Sequence, residues 1–122
     1  MNLFKPNFRV AHGTTRVVFL MWSWAVKVPS IVEWRLFLCG LLANLQERKF
    51  WTMKHPKLCP ILWSIPGGWL VVMRRAKPLT RFEFDHLALE DWVHCEDFVV
   101  PAEIKQCSFG WINDRLVAVD YG

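Results

Sequence analysis

The alternation of apolar runs and short polar breaks predicts two β-hairpins in the first part of the chain. The runs RVVFLM (residues 16–21) and WAVKVP (24–29) are apolar and β-branched, which is typical of strands, and only two residues separate them. The segments LCPILWSI (58–65) and WLVVM (69–73) flank a Pro-Gly-Gly turn. Both pairs are therefore predicted to form antiparallel strands joined by tight turns.

Between the hairpins, apolar residues recur at a three-and-four spacing, which predicts a long helix. Ser30 and Glu33 stand three positions apart at its start, and this spacing indicates a capping box. Gly40, Asn44 and Glu47 fall on one face of the same helix. That polar line is either an exposed edge or a polar contact with the sheet, and the periodicity favours the exposed edge.

The rest of the chain predicts shorter elements. RRAKPL (74–79) is predicted to be a polar connector, and residues 80–97 carry a partial helical pattern. Two short strands are predicted on either side of a turn at residues 113–114. The expected fold is a single α+β domain, in which an antiparallel sheet of about five strands packs on one long helix, with a short helix and a C-terminal hairpin.

Composition adds a prediction about the surface. Hydrophobic residues make up 53% of the chain, with eight Trp and nine Phe. Because a domain of this size has one small core, some of these aromatic residues must lie near the surface. We therefore expect a surface that binds a protein partner, another copy of the chain, or both.

Charge and hydropathy limit the other partners. The net charge is +4, and only RRAK (74–77) clusters positive residues, so nucleic-acid binding is not expected. The apolar runs are much shorter than the roughly 20 residues of a membrane span, and the first residues lack a signal-peptide core. We expect a cytoplasmic protein, in the host cytoplasm if it is viral, with no membrane partner.

The four cysteines are spaced too irregularly for a metal site. No C-x-x-C or H-x-x-x-H spacing occurs in the chain. Zinc requires several ligands in tetrahedral geometry, and no local group supplies even a pair. The cysteines are therefore predicted to be buried free thiols.

Lys27 and Asp120 stand inside apolar strands. A buried charge is costly unless it is paired, so each needs a partner or a ligand if it faces the core. The alternative is that each side chain points to the solvent face of a half-exposed strand.

The strand WAVKVP resembles the V-A-I-K strand of the protein kinase superfamily, whose Lys holds nucleotide phosphates and pairs with a helix Glu. This resemblance makes Lys27 the phosphate-binding Lys and Glu47, on the following helix, its partner. It places Gly13, Thr14 and Thr15 at the phosphate-binding loop, where the family pattern has three glycines and this chain has one.

The C-terminal part extends the resemblance. VPAEIKQCS lines up with the kinase catalytic loop, and DYG lines up with the metal-binding D-F-G. Glu103 then falls on the catalytic Asp, Lys105 on the common Lys two residues later, and Ser108 on the Asn. Asp120 falls on the metal-binding Asp. The resemblance implies a Mg²⁺ site at Asp120 and Ser108, used only if a nucleotide binds.

Departures from the family pattern indicate that catalysis has been lost. Pro101 and Ala102 replace the His and Arg that brace the catalytic loop, and Glu103 is one methylene longer than Asp. Residues 1–78 resemble a small lobe. Residues 79–122 resemble a vestigial large lobe without an activation segment or a platform for a protein substrate.

We therefore expect a non-catalytic, pseudokinase-like protein that binds another protein and needs no cofactor. A phage-type inhibitor of a host or defence protein is the form that analogy with compact genomes favours. The first alternative is a phosphotransferase that binds ATP and Mg²⁺, with Lys27 and Glu47 orienting phosphates and Glu103 acting as base. The second is an unrelated α+β binding module. In a non-catalytic protein, Asp120 is expected to serve as a charge partner of Lys27.

Overall fold

A computed structural model describes residues 8–12 and 15–121 of the chain. The fold is α+β, as predicted, and one longer helix separates two groups of strands. The elements, in chain order, are β1 (Phe8–His12), β2 (Arg16–Met21), β3 (Trp24–Pro29), α1 (Trp34–Trp51), β4 (Ile61–Ile65), β5 (Leu70–Arg74), β6 (Lys77–Pro78), α2 (Arg81–His86), α3 (Leu89–Trp92), a 3-10 turn (Gln106–Ser108), β7 (Phe109–Ile112) and β8 (Arg115–Ala118).

The strands form two antiparallel sheets. The first has the order β1-β2-β3-β5-β4, and the second has the order β6-β7-β8. The predicted antiparallel sheet and its two hairpins are confirmed. The C-terminal hairpin turns at Asn113 and Asp114. Their positive φ angles, 49° and 65°, are those required by a type I′ turn, whose twist matches the twist of the flanking strands. The second sheet was not predicted.

Helix α1 packs on the first sheet with its polar face inward. Gly40, Asn44 and Glu47 are the buried residues of the helix, so the exposed edge that the periodicity favoured is wrong. A Cβ atom at position 40 would lie under 3.0 Å from the carbonyl oxygen of Thr15 and the Cα of Pro29. Glycine therefore permits the close approach of helix and sheet that brings Asn44 and Glu47 over the strands.

The apolar core lies mainly on the other side of the molecule, between β5, the second sheet and the connectors around α3. The core contains residues from before and after position 78, so the two segments that were predicted to resemble a small lobe and a vestigial large lobe share one hydrophobic cluster. Its most deeply buried members are Leu58, Cys59, Val71, Met73, Val100, Phe109, Val117, Ala118 and Tyr121.

The start of α1 differs from the prediction. The helix begins at Trp34. Glu33 occupies the N-cap position, but its side chain accepts no capping hydrogen bond from the described residues. Ser30 instead accepts a long hydrogen bond, 3.5 Å, from the backbone N–H of Val32 through its Oγ. The predicted capping box is therefore wrong, because the backbone of Glu33 is still extended and the helix starts only at Trp34.

The predicted helix over residues 80–97 is two short helices. A capping box formed by Thr80 and Glu83 starts α2, and the extended backbone of Leu87 ends it before α3 begins. The predicted connector over residues 74–79 is also wrong in part, because Lys77–Pro78 pairs with β7 as a strand of the second sheet.

The cysteines are free, but they are not uniformly buried. Cys59 is buried, Cys95 is partly buried, and Cys39 and Cys107 are exposed, so the prediction of buried thiols is wrong for the last two. Burial raises the pKa of the Cys59 thiol to about 12. That thiol contacts the carbonyl oxygen of Arg74 at 3.1 Å and stays protonated at neutral pH.

Candidate functional site

The carboxylate of Glu47 is the centre of a buried ionic cluster. Helix α1 points this side chain at the first sheet, where it is fully buried. The Lys27 ammonium donates to both carboxylate oxygens, at 3.0 and 2.9 Å. The ion pair between Lys27 and Glu47 that the sequence predicted is therefore confirmed.

Lys27 reaches the helix because of the alternation along β3. Ala25, Lys27 and Pro29 are the buried residues of that strand and share one face. The Lys27 ammonium also donates to the carbonyl oxygen of Val119, in the segment that follows β8. Of the two alternatives for Lys27, the solvated face is therefore wrong.

Arg16 is the second buried cation of the cluster. Its guanidinium donates to both oxygens of Glu47, at 2.7 and 3.1 Å, and to the Asp120 carboxylate at 2.6 Å. Asp120 thus pairs with Arg16, and the predicted pairing with Lys27 is wrong. The cluster is balanced, because two cations face two carboxylates.

Asn44 fixes the distance between α1 and the sheet. Its amide nitrogen donates to the carbonyl oxygens of Gly68 and Lys27, at 2.8 and 3.2 Å, and its amide oxygen accepts from Arg16 at 3.0 Å. A Cβ atom at Gly68 would lie under 3.0 Å from the carbonyl oxygen of Leu41, so this turn also needs a glycine. Asn44 therefore joins the helix to both hairpins of the sheet.

The segment after β8 also contributes to the ionic cluster. The backbone N–H of Tyr121 donates to Glu47 at 3.1 Å, and its phenol donates to the carbonyl oxygen of Cys59 at 2.8 Å. The Tyr121 ring is a member of the apolar core, and its burial raises the pKa of the phenol. Asp120 and Tyr121 are thus held by the ionic cluster, and Tyr121 is held by the core as well.

The two cations determine the charge state of Glu47. Burial alone would raise the pKa of Glu47, but the charges of Lys27 and Arg16 and their hydrogen bonds hold it below the ordinary value of 4.5. Burial likewise opposes the charge on Arg16, whereas Glu47 and Asp120 together raise the pKa of Arg16 above its ordinary value. Glu47 is therefore ionised at neutral pH and accepts five hydrogen bonds.

The structure also brings together three residues that the kinase resemblance singled out. Glu103, Ser108 and Asp120 line one depression of about 60 Å³, together with Pro101. The Oγ of Ser108 is buried there and has no hydrogen-bond partner within the described residues. Lys105 does not line this depression; its half-exposed ammonium pairs with Glu103 at 3.5 Å. Nearby Cys107 and Glu103 raise the pKa of Lys105.

The predicted phosphate-binding loop is only partly described. Gly13 and Thr14 lie outside the described residues. Thr15 contributes its carbonyl oxygen, which accepts from the backbone N–H of Ser30 at 2.8 Å and so closes the end of the β2–β3 hairpin. The role of Thr15 toward a phosphate stays a prediction.

Arg16 is the residue that the sequence prediction missed. A two-residue turn at Trp22 fixes the β2–β3 register, in which Val18 lies opposite Lys27 and Arg16 lies opposite Pro29. Since side chains two positions apart share a face, this register places Arg16 diagonally beside Lys27. The hairpin prediction therefore already contained the signal for a second cation near Glu47.

The residues present do not fit a bound ATP–Mg²⁺ complex in this arrangement. The pairing of Lys27 with Glu47 is the one that the kinase resemblance requires, but the Lys27 ammonium also donates to the carbonyl oxygen of Val119, and Arg16 holds the carboxylate of Asp120. The depression beside Asp120 has about 60 Å³, far below the roughly 300 Å³ of a small ligand pocket. A wider groove of about 390 Å³ is lined by Asp85, Glu90 and Asp91, which would repel phosphates.

No family model, curated protein or solved structure matches this chain. The kinase resemblance therefore stays a prediction. Among the residues that the structure describes, no helix is long and apolar enough to cross a membrane. Nor do three or more His, Cys, Asp or Glu side chains in residues 8–12 and 15–121 form a group that could hold a metal ion.

Proposed function

We propose that this chain is a non-catalytic, kinase-like protein that acts by binding another protein. The observation that carries the proposal is the position of the Arg16 guanidinium, which lies at hydrogen-bond distance from the carboxylates of both Glu47 and Asp120. A positive side chain at Asp120 supplies the neutralisation that a metal ion would otherwise provide. The resembled active site then serves as a structural joint that needs no ligand.

The binding half of the proposal is supported by the aromatic surface. Five of the eight tryptophans are exposed, although tryptophan side chains are on average highly buried in folded proteins. Tryptophan is among the residues most enriched at the energetic centres of protein interfaces. The exposed ones are Trp22, Trp24, Trp34, Trp63 and Trp69.

The finer form of the proposal is a phage-type inhibitor of a host or defence protein in the cytoplasm. It rests on the kinase resemblance and on the analogy with reduced proteins of compact genomes. Capture of the same bacterial protein from repeated lysate pull-downs, followed by reconstitution from purified components, would test it. The finer form fails if nothing is captured reproducibly.

A thermal-shift measurement with ATP and Mg²⁺ tests the central claim. We expect no change in Tm, because Arg16 occupies the Asp120 carboxylate that would hold the metal ion and the Lys27 ammonium also donates to the carbonyl oxygen of Val119. A ligand at about 100 times its Kd would add about 2.7 kcal/mol of stability, which is several degrees for a domain of this size. A rise in Tm that both Lys27→Ala and Asp120→Ala abolish would overturn the proposal.

One observation favours a second candidate, an ATP-dependent phosphotransferase. Glu103, Ser108 and Asp120 converge on one depression, as the kinase resemblance requires of a base and two metal ligands. This candidate requires Arg16 to release Asp120. A rise in Tm with ATP and Mg²⁺, together with release of ADP that Glu103→Gln abolishes, would favour it over the first.

A further inference from the structure

The side of α1 that faces away from the sheet is apolar and open to solvent. Trp34 is 70% exposed and Leu42 is 54% exposed, and Leu38 and Leu45 are exposed beside them. This arrangement follows from the buried polar face. Because Asn44 and Glu47 face the sheet, the leucines on the opposite side of the helix face solvent. The apolar side of the helix therefore contributes little to the core of this chain.

Positive charges stand at both ends of this apolar side. Arg35, Leu38, Leu42, Leu45 and Lys49 follow one another at intervals of three and four, so they form a single stripe along the helix. We call these five residues the α1 stripe. Neither Arg35 nor Lys49 forms an ion pair with any described residue, and the one acid of α1, Glu47, points inward.

We propose that the α1 stripe is a docking site for an amphipathic helix of a partner protein, one with apolar residues along its centre and acidic residues near its ends. The inference rests on the proposed function and adds the location of the binding surface and the chemistry of the partner. Leucines at a three-and-four spacing present the ridges that a second helix packs against.

Charge distinguishes this partner from a second copy of the chain. If two α1 stripes paired in parallel, Arg35 would meet Arg35 and Lys49 would meet Lys49. If they paired antiparallel, Arg35 would meet Lys49. Like charges would face each other at both ends in either direction, which opposes self-association. An acidic helix instead meets a cation at each end.

The stripe is held rigidly by contacts on the opposite side of the helix. Asn44 is tied to the sheet by three hydrogen bonds, and Glu47 is tied by four to the sheet and by a fifth to the backbone N–H of Tyr121. A surface that is already fixed before binding loses less conformational entropy when the partner docks. The buried ionic cluster therefore keeps the leucines in position.

An aromatic group extends the apolar surface at the N-terminal end of the stripe. The ring of Phe37 lies 5.7 Å from that of Trp34 and 5.4 Å from that of Trp69, measured between centroids. Trp34 and Trp69 are both exposed. Two tryptophans supported by a third ring offer the kind of large, preformed contact that dominates interface energies.

A pair of synthetic peptides tests the proposal on the full chain. The first is an amphipathic helical peptide of 18 residues, the length of α1, with a Leu stripe and Glu near both ends. Its twin carries Lys in place of every Glu. By fluorescence anisotropy we expect saturable binding of the Glu peptide, about tenfold or more tighter than binding of the Lys twin.

Variants of the stripe sharpen this test. Leu42→Glu is expected to weaken binding of the Glu peptide at least about tenfold, because it places a charge in the apolar centre. Leu62→Glu, at a position 51% exposed on the edge strand β4, is the matched control and should bind normally. The double variant Arg35→Glu with Lys49→Glu should prefer the Lys twin.

Several outcomes would overturn the inference. These are equal binding of both peptides, no binding of either, or equal losses in Leu42→Glu and Leu62→Glu. A concentration-dependent dimer that Leu42→Glu abolishes would assign the stripe to a second copy. Binding to anionic lipid vesicles that Leu42→Glu abolishes would assign it to a membrane surface.

The failure of this inference can be told apart from failure of the proposed function. A partner protein bound equally by the natural chain and by Leu42→Glu would remove the docking site from α1 and leave the proposed function standing. A stabilising effect of ATP and Mg²⁺ would overturn the proposed function without altering the peptide result.

Discussion

The two sides of this molecule are held together by different forces. The joint between α1 and the first sheet is made of buried charges and amides around Glu47, whereas the second sheet and α3 enclose an apolar core around Phe109 and Val117. A polar joint depends on every partner being present, while an apolar core tolerates changes that preserve volume. The exposed leucine face of α1 is therefore a consequence of burying Asn44 and Glu47 on its other side.

The largest expected effect comes from removing the centre of the polar joint. Glu47→Gln leaves Arg16 and Lys27 buried beside a neutral group, so we expect a loss of about 3–5 kcal/mol in the free energy of unfolding. This is a large part of the total stability of a small domain. Urea denaturation measures the loss, with Glu103→Gln, at a side chain 82% exposed, as the matched control.

A triple variant tests whether the loss reflects stranded charges. Replacing Arg16, Lys27 and Glu47 together with Met, Met and Leu removes the charges while filling similar space, and we expect it to recover most of the stability. A cost under about 1 kcal/mol for Glu47→Gln alone would show that the buried charges do not hold the helix on the sheet.

The apolar core provides the next largest effect. Leu89→Ala, in α3, removes a buried side chain from the core cluster and is expected to cost about 2–5 kcal/mol through lost burial and a cavity. Unlike the Glu47 variant, this one should lose the same amount at pH 6 and at pH 3, on either side of the range in which Glu47 is protonated. A cost that changes strongly across that range would show that the two regions are not energetically distinct.

Acid is expected to weaken the polar joint selectively. The pKa of Glu47 is lower in the folded chain than its ordinary value of 4.5, so its contribution is present above pH 4.5 and is lost as pH falls toward the folded-state pKa. One such proton changes stability by at most about 1.4 kcal/mol per pH unit. Denaturation curves between pH 3 and pH 6 measure the slope.

The Glu47→Gln protein is the control for this pH effect. Its stability should depend less steeply on pH below 4.5, with a residual slope from other carboxylates such as Glu83, whose pKa the hydrogen bond from the Thr80 backbone lowers. Equal slopes in the natural and variant proteins would contradict the role given to Glu47.

The smallest effect is expected at the rim of the cluster. Asp120 pairs with Arg16, but its side chain is 39% exposed, so solvent screens the pair. Asp120→Asn should therefore cost less than about 1 kcal/mol, since Arg16 keeps its two bonds to Glu47. A loss as large as that of Glu47→Gln would place Asp120 at the centre of the joint rather than at its edge.

Local patterns predicted the strands and one ion pair of this fold. The hairpins followed from short turns between β-branched runs, and the pairing of Lys27 with Glu47 followed from the resemblance of their surroundings to a kinase small lobe. Arg16 could have been found from the β2–β3 register, because that register puts it on the face of Lys27.

The orientation of α1 could not be read from hydrophobic periodicity. That rule assumes that the apolar side of a helix is the buried side. It fails here because Arg16 and Lys27 on the sheet pair with the buried carboxylate of Glu47. The need for glycine at positions 40 and 68 becomes clear only once the facing backbone of Thr15 and Leu41 is known. The second sheet was missed because β6 has only two residues.

The hydrogen bonds of the ionic cluster also affect how the chain folds. Glu47 is bonded to partners 20, 31 and 74 positions away, and Arg16 is bonded to one 104 positions away. Each contact closes a long loop before its energy is gained, and such contacts slow folding more than local ones do. We therefore expect the cluster to form after the two hairpins, whose contacts close shorter loops.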